Sequence, residues 1–175
     1  MSVARAIEKK LHTFRAEKND YFRQSPHSPL TEEQRRTFGG LSYFPYNAAL
    51  HLELLLDHAS AGVPVVLDST TATRQEYQRA GIVHFSVDGT AAAITLYRGS
   101  RGDLFLPVRD ATSGTESYGA GRYCEPEWLG QDRVLVDFNY LYNPYCAYNE
   151  GWSCPLPPPE NWLRVPLRAG EKAFQ

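Results

Sequence analysis

The run GIVHFSVDGTAAAITLY, Gly81–Tyr97, decides the fold. Two β-rich stretches flank Asp88-Gly89. An Asp-Gly pair in that setting is the strongest short-range hairpin signal, because a two-residue type I′ turn needs positive φ at both positions. Working upstream, AALHLELLL (Ala48–Leu56) puts Leu50, Leu52, Leu54 and Leu56 on one face and His51 and Glu53 on the other, the period of a half-buried strand. PVVLDST (Pro64–Thr70) and Gln75–Tyr77 add two short strands, and downstream Leu104–Arg109 and Arg133–Phe138 add two more. Strands spaced at roughly ten residues, without crossover helices, favour an antiparallel barrel or sandwich over a parallel sheet.

The N-terminal forty residues read differently. Over residues 3–18, Ile7, Leu11 and Phe14 recur at i, i+4 and i+7 with charges between them. This predicts a helix with a narrow apolar stripe, lying on the domain surface or covering a partner subunit. SPHSPL (Ser25–Leu30) breaks it with two prolines. Thr31 and Gln34 form a capping-box pattern for a second helix, TEEQRRTF, which Gly39-Gly40 closes. The expected class is α+β, mainly β: an antiparallel β barrel or sandwich with N-terminal helices. A single domain is expected over 1–175, helical to residue 40, with a β core over 41–138 and an ordered segment over 139–175.

Composition bounds the function. A chain of 175 residues, 42% hydrophobic and 22% charged, can bury a full core. A net charge of -2 argues against nucleic-acid binding, which needs a basic surface to displace counterions. No apolar run approaches the ~20 residues needed to cross a bilayer. The start, MSVARAIEKKLHTFRAEKND, is charged throughout and is no secretory signal. A cytoplasmic location is expected, where the three cysteines would be reduced and a Cys146–Cys154 disulfide is not expected. Cys146, Cys154 and His84 lack the spacing of a metal site, so no metal is assigned. Walker, GxGxxG, GxSxG and HExxH signatures are missing, and the cofactor, if any, is unknown.

Chemistry-bearing residues concentrate toward the C-terminus. DATSGTESYGAGRY (Asp110–Tyr123), VDFNYLYNPYCAYN (Val136–Asn149), CPLPPPEN (Cys154–Asn161) and LRAGEK (Leu167–Lys172) are long, unusual motifs. With YFRQSPHSPL and FGGLSYFP near the N-terminus, they resemble domain-of-unknown-function family 1684, found in bacteria and archaea. The resemblance covers nearly the whole chain and implies no activity. One departure is Cys124, where the family pattern has an aliphatic residue; this marks it as a core substitution.

Arg122 offers a planar fork for an anionic group, or pairs with Asp110 or Asp137 to pin a loop to the sheet. Asp137 and Asn139 end a strand on the face opposite Phe138. Asp137 is the candidate general acid or base, and Asn139 orients a ligand or caps the following loop. Cys146 is the candidate nucleophile, although a thiolate needs a nearby cation and no histidine lies in the C-terminal half. Asp110, Arg122, Tyr123, Asn139, Asn143, Asn149, Glu160 and Asn161 are the candidate ligand-binding residues, with Asp137 and Cys146 catalytic. Glu171-Lys172 reads as a solvated pair unless its motif folds Lys172 back onto the domain. Three readings follow: a small-molecule binding domain with a polar pocket, a hydrolase using Asp137 or Cys146, and a structural homo-oligomer. The expected partners are a small molecule and a second copy as a homodimer, with no nucleic acid and no membrane.

Overall fold

The computed structural model describes residues 2–174; Met1 and Gln175, the ends of the expected domain, lie outside the described residues. Asp88 and Gly89 have φ of 49° and 80°, the two positive values a type I′ turn requires. They join β3 (Arg74–Val87) to β4 (Thr90–Arg98), with Val87 opposite Thr90. The expected Gln75–Tyr77 strand is the beginning of β3 and not a separate element. The two stretches fuse through a bulge between Arg79 and Gly81, which bends the strand without ending it. Gly81 sits at φ 152°, and a Cβ there would lie 2.5 Å from the Asp57 carbonyl oxygen. The missing side chain lets residue 57 dock against β3, where Asp57 and Ile82 exchange two backbone hydrogen bonds of 2.8 Å.

β2 (Pro64–Asp68), β5 (Leu104–Val108) and β6 (Arg122–Cys124) complete a five-stranded sheet of order β2-β3-β4-β5-β6, which curls as a half-barrel. β1 (His51–Leu55), β7 (Glu127–Gly130) and β8 (Arg133–Asp137) form a second sheet of order β1-β8-β7. All the strand pairs of both sheets are antiparallel. The class is therefore α+β, mainly β. The core lies between the sheets: Val83, Phe85, Ile94, Leu96, Leu106 and Val108 face Leu50, Leu56, Val134 and Val136, and Leu167 and Ala169 close it. Burying each larger aliphatic contributes about 1.5–3 kcal/mol before entropy is subtracted. Cys124 is 2% exposed within this core, as its place in the family pattern suggests.

The first helix, α1 (Val3–Gln24), runs six residues past the expected end at residue 18. Its extra turn and a half buries Phe22 against Tyr148, Phe38 and Tyr145. The buried side chains of α1 are Leu11, Arg15 and Phe22, so the stripe is partly polar. Phe14, expected inside it, is 40% exposed and leans on Tyr140 with ring centres 5.1 Å apart. The second helix, α2 (Glu32–Thr37), has both bonds of the capping box: Gln34 N–H donates to Thr31 Oγ1 at 3.2 Å, and Thr31 N–H donates to Gln34 Oε1 at 2.8 Å.

Candidate functional site

Arg122 is fully buried, and every N–H of its two terminal nitrogens is spent. Nη1 donates to the carbonyls of Ala169 (2.6 Å) and Glu171 (2.9 Å); Nη2 donates to Leu167 O (2.8 Å) and Asp110 Oδ1 (3.2 Å). Burial pulls the guanidinium pKa down, and neighbouring Asp110 opposes that shift. Asp110 in turn accepts from Leu167 N–H at 2.6 Å and from Thr112. The pair clasps the LRAGEK segment onto the β5–β6 edge. An anion finds no free terminal N–H here.

Asn161 is another buried clasp. Its amide donates to Thr95 O and Pro107 O and accepts from Thr95 N–H, all at 2.8–2.9 Å. It stands in for a peptide unit where β4 and β5 diverge beyond Tyr97 and Phe105. Its neighbour Glu160 pairs with Arg79 at 2.7 Å and accepts from the Tyr97 hydroxyl. Tyr123 donates to Pro155 O and packs on Phe105. Asn149 accepts from Gly151 N–H at 3.1 Å in a local turn. Cys146 is half-buried, with Sγ 3.7 Å from the Tyr118 hydroxyl, which burial and that contact push up to about 12. Cys154 is pushed up to about 11, first by burial. None of these side chains is hydrogen-bonded to Asp137 or Arg122; each has partners of its own.

A different convergence lies beneath α1. β1 and β8 set His51 directly opposite Asp137. His51 Nδ1 is 2.7 Å from Asp137 Oδ2, while Asp137 Oδ1 accepts from Asn139 N–H and Nδ2 at 3.0 and 2.9 Å. Asn139 is fixed by Asn47, bonding its N–H at 2.8 Å and its carbonyl at 2.9 Å. Arg15 of α1 donates to Asn139 O and Phe44 O and lies 4.3 Å above the Tyr43 ring. One turn on, Lys18 Nζ reaches Glu171 Oε1 at 2.5 Å.

Glu171 is 1% exposed and is no solvated surface residue. Gly170 puts it there: φ is 74°, and a Cβ would lie 2.4 Å from Leu141 O. Glu171 N–H donates to that same carbonyl at 2.9 Å. Tyr43 and Glu171 are antiparallel bridge partners, so their side chains leave on the same face. Glu171 Oε2 accepts from Asn143 N–H and from the Tyr148 hydroxyl, each at 2.7 Å. Burial, then the Glu171 charge, pushes both the Tyr148 and Tyr43 hydroxyls upward. Tyr43 Oη, Asn143 Oδ1 and Arg15 Nε are buried without a hydrogen-bond partner among the described residues, and Glu171 Oε1 has only the Lys18 ion pair. Asp137, Asn139 and Asn143 were expected in the site. His51, Arg15, Lys18 and Tyr43 were not, and only the outward period of HLELLL marked His51 as facing away from the leucines. A cleft of about 450 Å3 opens alongside, lined by Lys9, Lys10, Thr13, Phe14, Glu17 and Tyr140. Among the described residues no group of three or more His, Cys, Asp and Glu side chains is arranged to hold a metal, and no helix is long and apolar enough to cross a membrane.

Two antiparallel sheets with motif residues turned into a helix-covered polar seam define a class of α+β protein. The chain belongs to the family described as protein of unknown function (DUF1684), which residues 36–172 match. It is similar to an uncharacterised protein of Haloarcula marismortui, solved in solution by NMR. The two share 34% identity and a TM-score of 0.72, over 97% of this chain and 95% of that one. No curated protein matches the chain.

Proposed function

We propose that this protein is a small-molecule binding domain whose site is the polar seam beneath α1, with the helix as its cover. The observation that carries this reading is the contrast in hydrogen bonding. At Asp110–Arg122 one buried group, Arg122 Nε, lacks a partner, and Asn161 leaves none unpaired. In the seam, Tyr43 Oη, Asn143 Oδ1 and Arg15 Nε are left without a partner, on residues that bridge or hydrogen-bond to Glu171 or Asn139 through other atoms. Each unpaired buried group costs about 1–3 kcal/mol. Several orphaned polar atoms gathered in one seam are a cost that a ligand or bound water offsets. The test is native mass spectrometry of protein purified without denaturation, beside Glu171→Gln. A co-purifying mass lost in the variant supports the reading. A bare mass in both proteins, with no thermal shift across a metabolite panel, contradicts it.

The His51–Asp137 pair favours a second reading, an enzyme using His51 as general base. Asp137, oriented by Asn139, would hold the imidazole tautomer as an aspartate does in a catalytic dyad. His51 is 23% exposed, so a substrate can reach it. Hydrolysis of a generic ester panel that is lost in both His51→Gln and Asp137→Asn would support this reading. Activity unaffected by either change would remove it.

A further inference from the structure

We propose that the seam's ligand is a primary amine, and that Lys18 is its internal stand-in. This inference rests on the seam being a binding site. Lys18 Nζ lies 2.5 Å from Glu171 Oε1, 4.9 Å from the centre of the Tyr142 ring and 5.5 Å from that of Phe22. A carboxylate flanked by aromatic faces is a site for a cation. The other carboxylate oxygen is already committed to Asn143 N–H and the Tyr148 hydroxyl, which leaves Oε1 facing the cation.

The number of acceptors selects the kind of cation. An ammonium carries three N–H donors. Lys18 uses one on Glu171, and nearby Asn143 Oδ1 and Tyr43 Oη remain unpaired. Lys18 is tethered to α1 and reaches the rim of the cluster. A free R–NH3+ carries the same three donors without the tether. A quaternary ammonium has no N–H and would leave the acceptors as they are. An anion would face Glu171 and find the Arg122 fork spent.

The cover is held more by polar and aromatic contacts than by aliphatic burial. Of the 22 residues of α1, three side chains are buried, and one of them is the charged Arg15. Leu11 and Phe22 supply the apolar contact. Displacing Lys18 by an external amine exchanges one ion pair for another and leaves the sheets untouched.

Chemical rescue tests the inference. Lys18→Ala removes three methylenes and the ammonium, the size of n-propylammonium. Its thermal unfolding is followed in n-propylammonium, tetramethylammonium and sodium chlorides at matched ionic strength, with sodium propionate as an anionic probe. The expected result is a saturable rise of about 2–4 °C in Tm with n-propylammonium alone. A smaller saturable rise is expected in the wild type, where the amine must displace Lys18, and none in Lys18→Ala/Glu171→Gln; rescue of Lys18→Ala with no response in the wild type overturns the ligand assignment and leaves Lys18–Glu171 a structural pair. Should Lys18→Ala fail to fold in sodium chloride, the yield of folded protein after refolding replaces Tm, and recovery only with n-propylammonium is the supporting outcome. Equal effects of the two ammonium salts, or none, overturn the amine assignment. If propionate alone stabilises the variant, the seam binds small molecules but not amines. If no probe acts, the seam is not a binding site.

Discussion

Lys18 and Glu171 form a 2.5 Å ion pair in which the cation is 15% exposed and the carboxylate 1% exposed. The family match spans residues 36–172 and so contains the carboxylate but not the lysine. The asymmetry in burial has an energetic consequence. Removing one partner of a buried pair costs about 3–5 kcal/mol because the other charge is left without compensation. Glu171 has no route to water, whereas Lys18 can turn outward. Lys18→Met is therefore expected to cost about 3–5 kcal/mol, and Glu171→Gln about 1–3 kcal/mol, in urea unfolding. The reverse order would show that the pair is solvated.

The Arg122 clasp predicts a non-conservative Arg-to-Lys change. A lysine reaches one acceptor where the guanidinium holds Ala169 O, Glu171 O, Leu167 O and Asp110 together. Arg122→Lys is expected to lose about 3–5 kcal/mol. The double change Arg122→Met/Asp110→Leu should lose less than Arg122→Met alone, since it leaves no orphaned carboxylate. A double-mutant cycle in urea checks both; additive losses would contradict the clasp.

Gly170 and Gly89 have similar φ, 74° and 80°, but different surroundings. A Cβ on Gly170 meets Leu141 O at 2.4 Å, while one on Gly89 meets nothing within 4 Å. Gly89→Ala is expected to cost about 1 kcal/mol, the left-handed backbone penalty alone. Gly170→Ala adds a backbone clash and is expected to cost at least about 2 kcal/mol more. Equal losses would mean that the Glu171 segment yields easily.

These differences mark what could be read from sequence. The hairpin at Asp88-Gly89, the leucine face of β1 and the Thr31–Gln34 capping box are local signals, and each appears in the fold. β6 and β7 escaped because they span three and four residues, and β6 includes Arg122 and Tyr123, which look like site residues. The polar C-terminal motifs signalled importance, but motif text cannot separate a clasp from a site. Asp110, offered as a partner of Arg122 by the sequence, is 12 residues away, but the backbone groups that bury Arg122 and Asn161 lie 45 to 66 residues away, and no local pattern carries that information. Lys18 and Arg15 looked like solvated helix charges because their counter-groups lie on the β-bridge at Tyr43–Glu171 and the turn after β8. His51 was visible only as an outward-facing strand residue until β8 placed Asp137 opposite it.

Cys154 predicts a pH dependence. Its folded-state pKa, about 11, lies above an ordinary thiol value of 9.0. The proton is held more tightly in the folded protein. The contribution is therefore intact below pH 9 and is lost as pH rises toward 11. The difference in urea midpoint between wild type and Cys154→Ala should shrink or reverse over that window, at fixed ionic strength. A constant difference would show that the thiol is not desolvated.

The most direct test of the covered seam is native-state hydrogen exchange of wild-type protein, read amide by amide under mild denaturant. If α1 is a cover, amides of residues 7–20 exchange through a sub-global opening several kcal/mol below the free energy of global unfolding. The amides of β3 and β4 would then exchange only on global unfolding. If α1 amides instead exchange at the same free energy as β3 and β4, the helix is an integral part of the core, and the seam beneath it is a structural clasp.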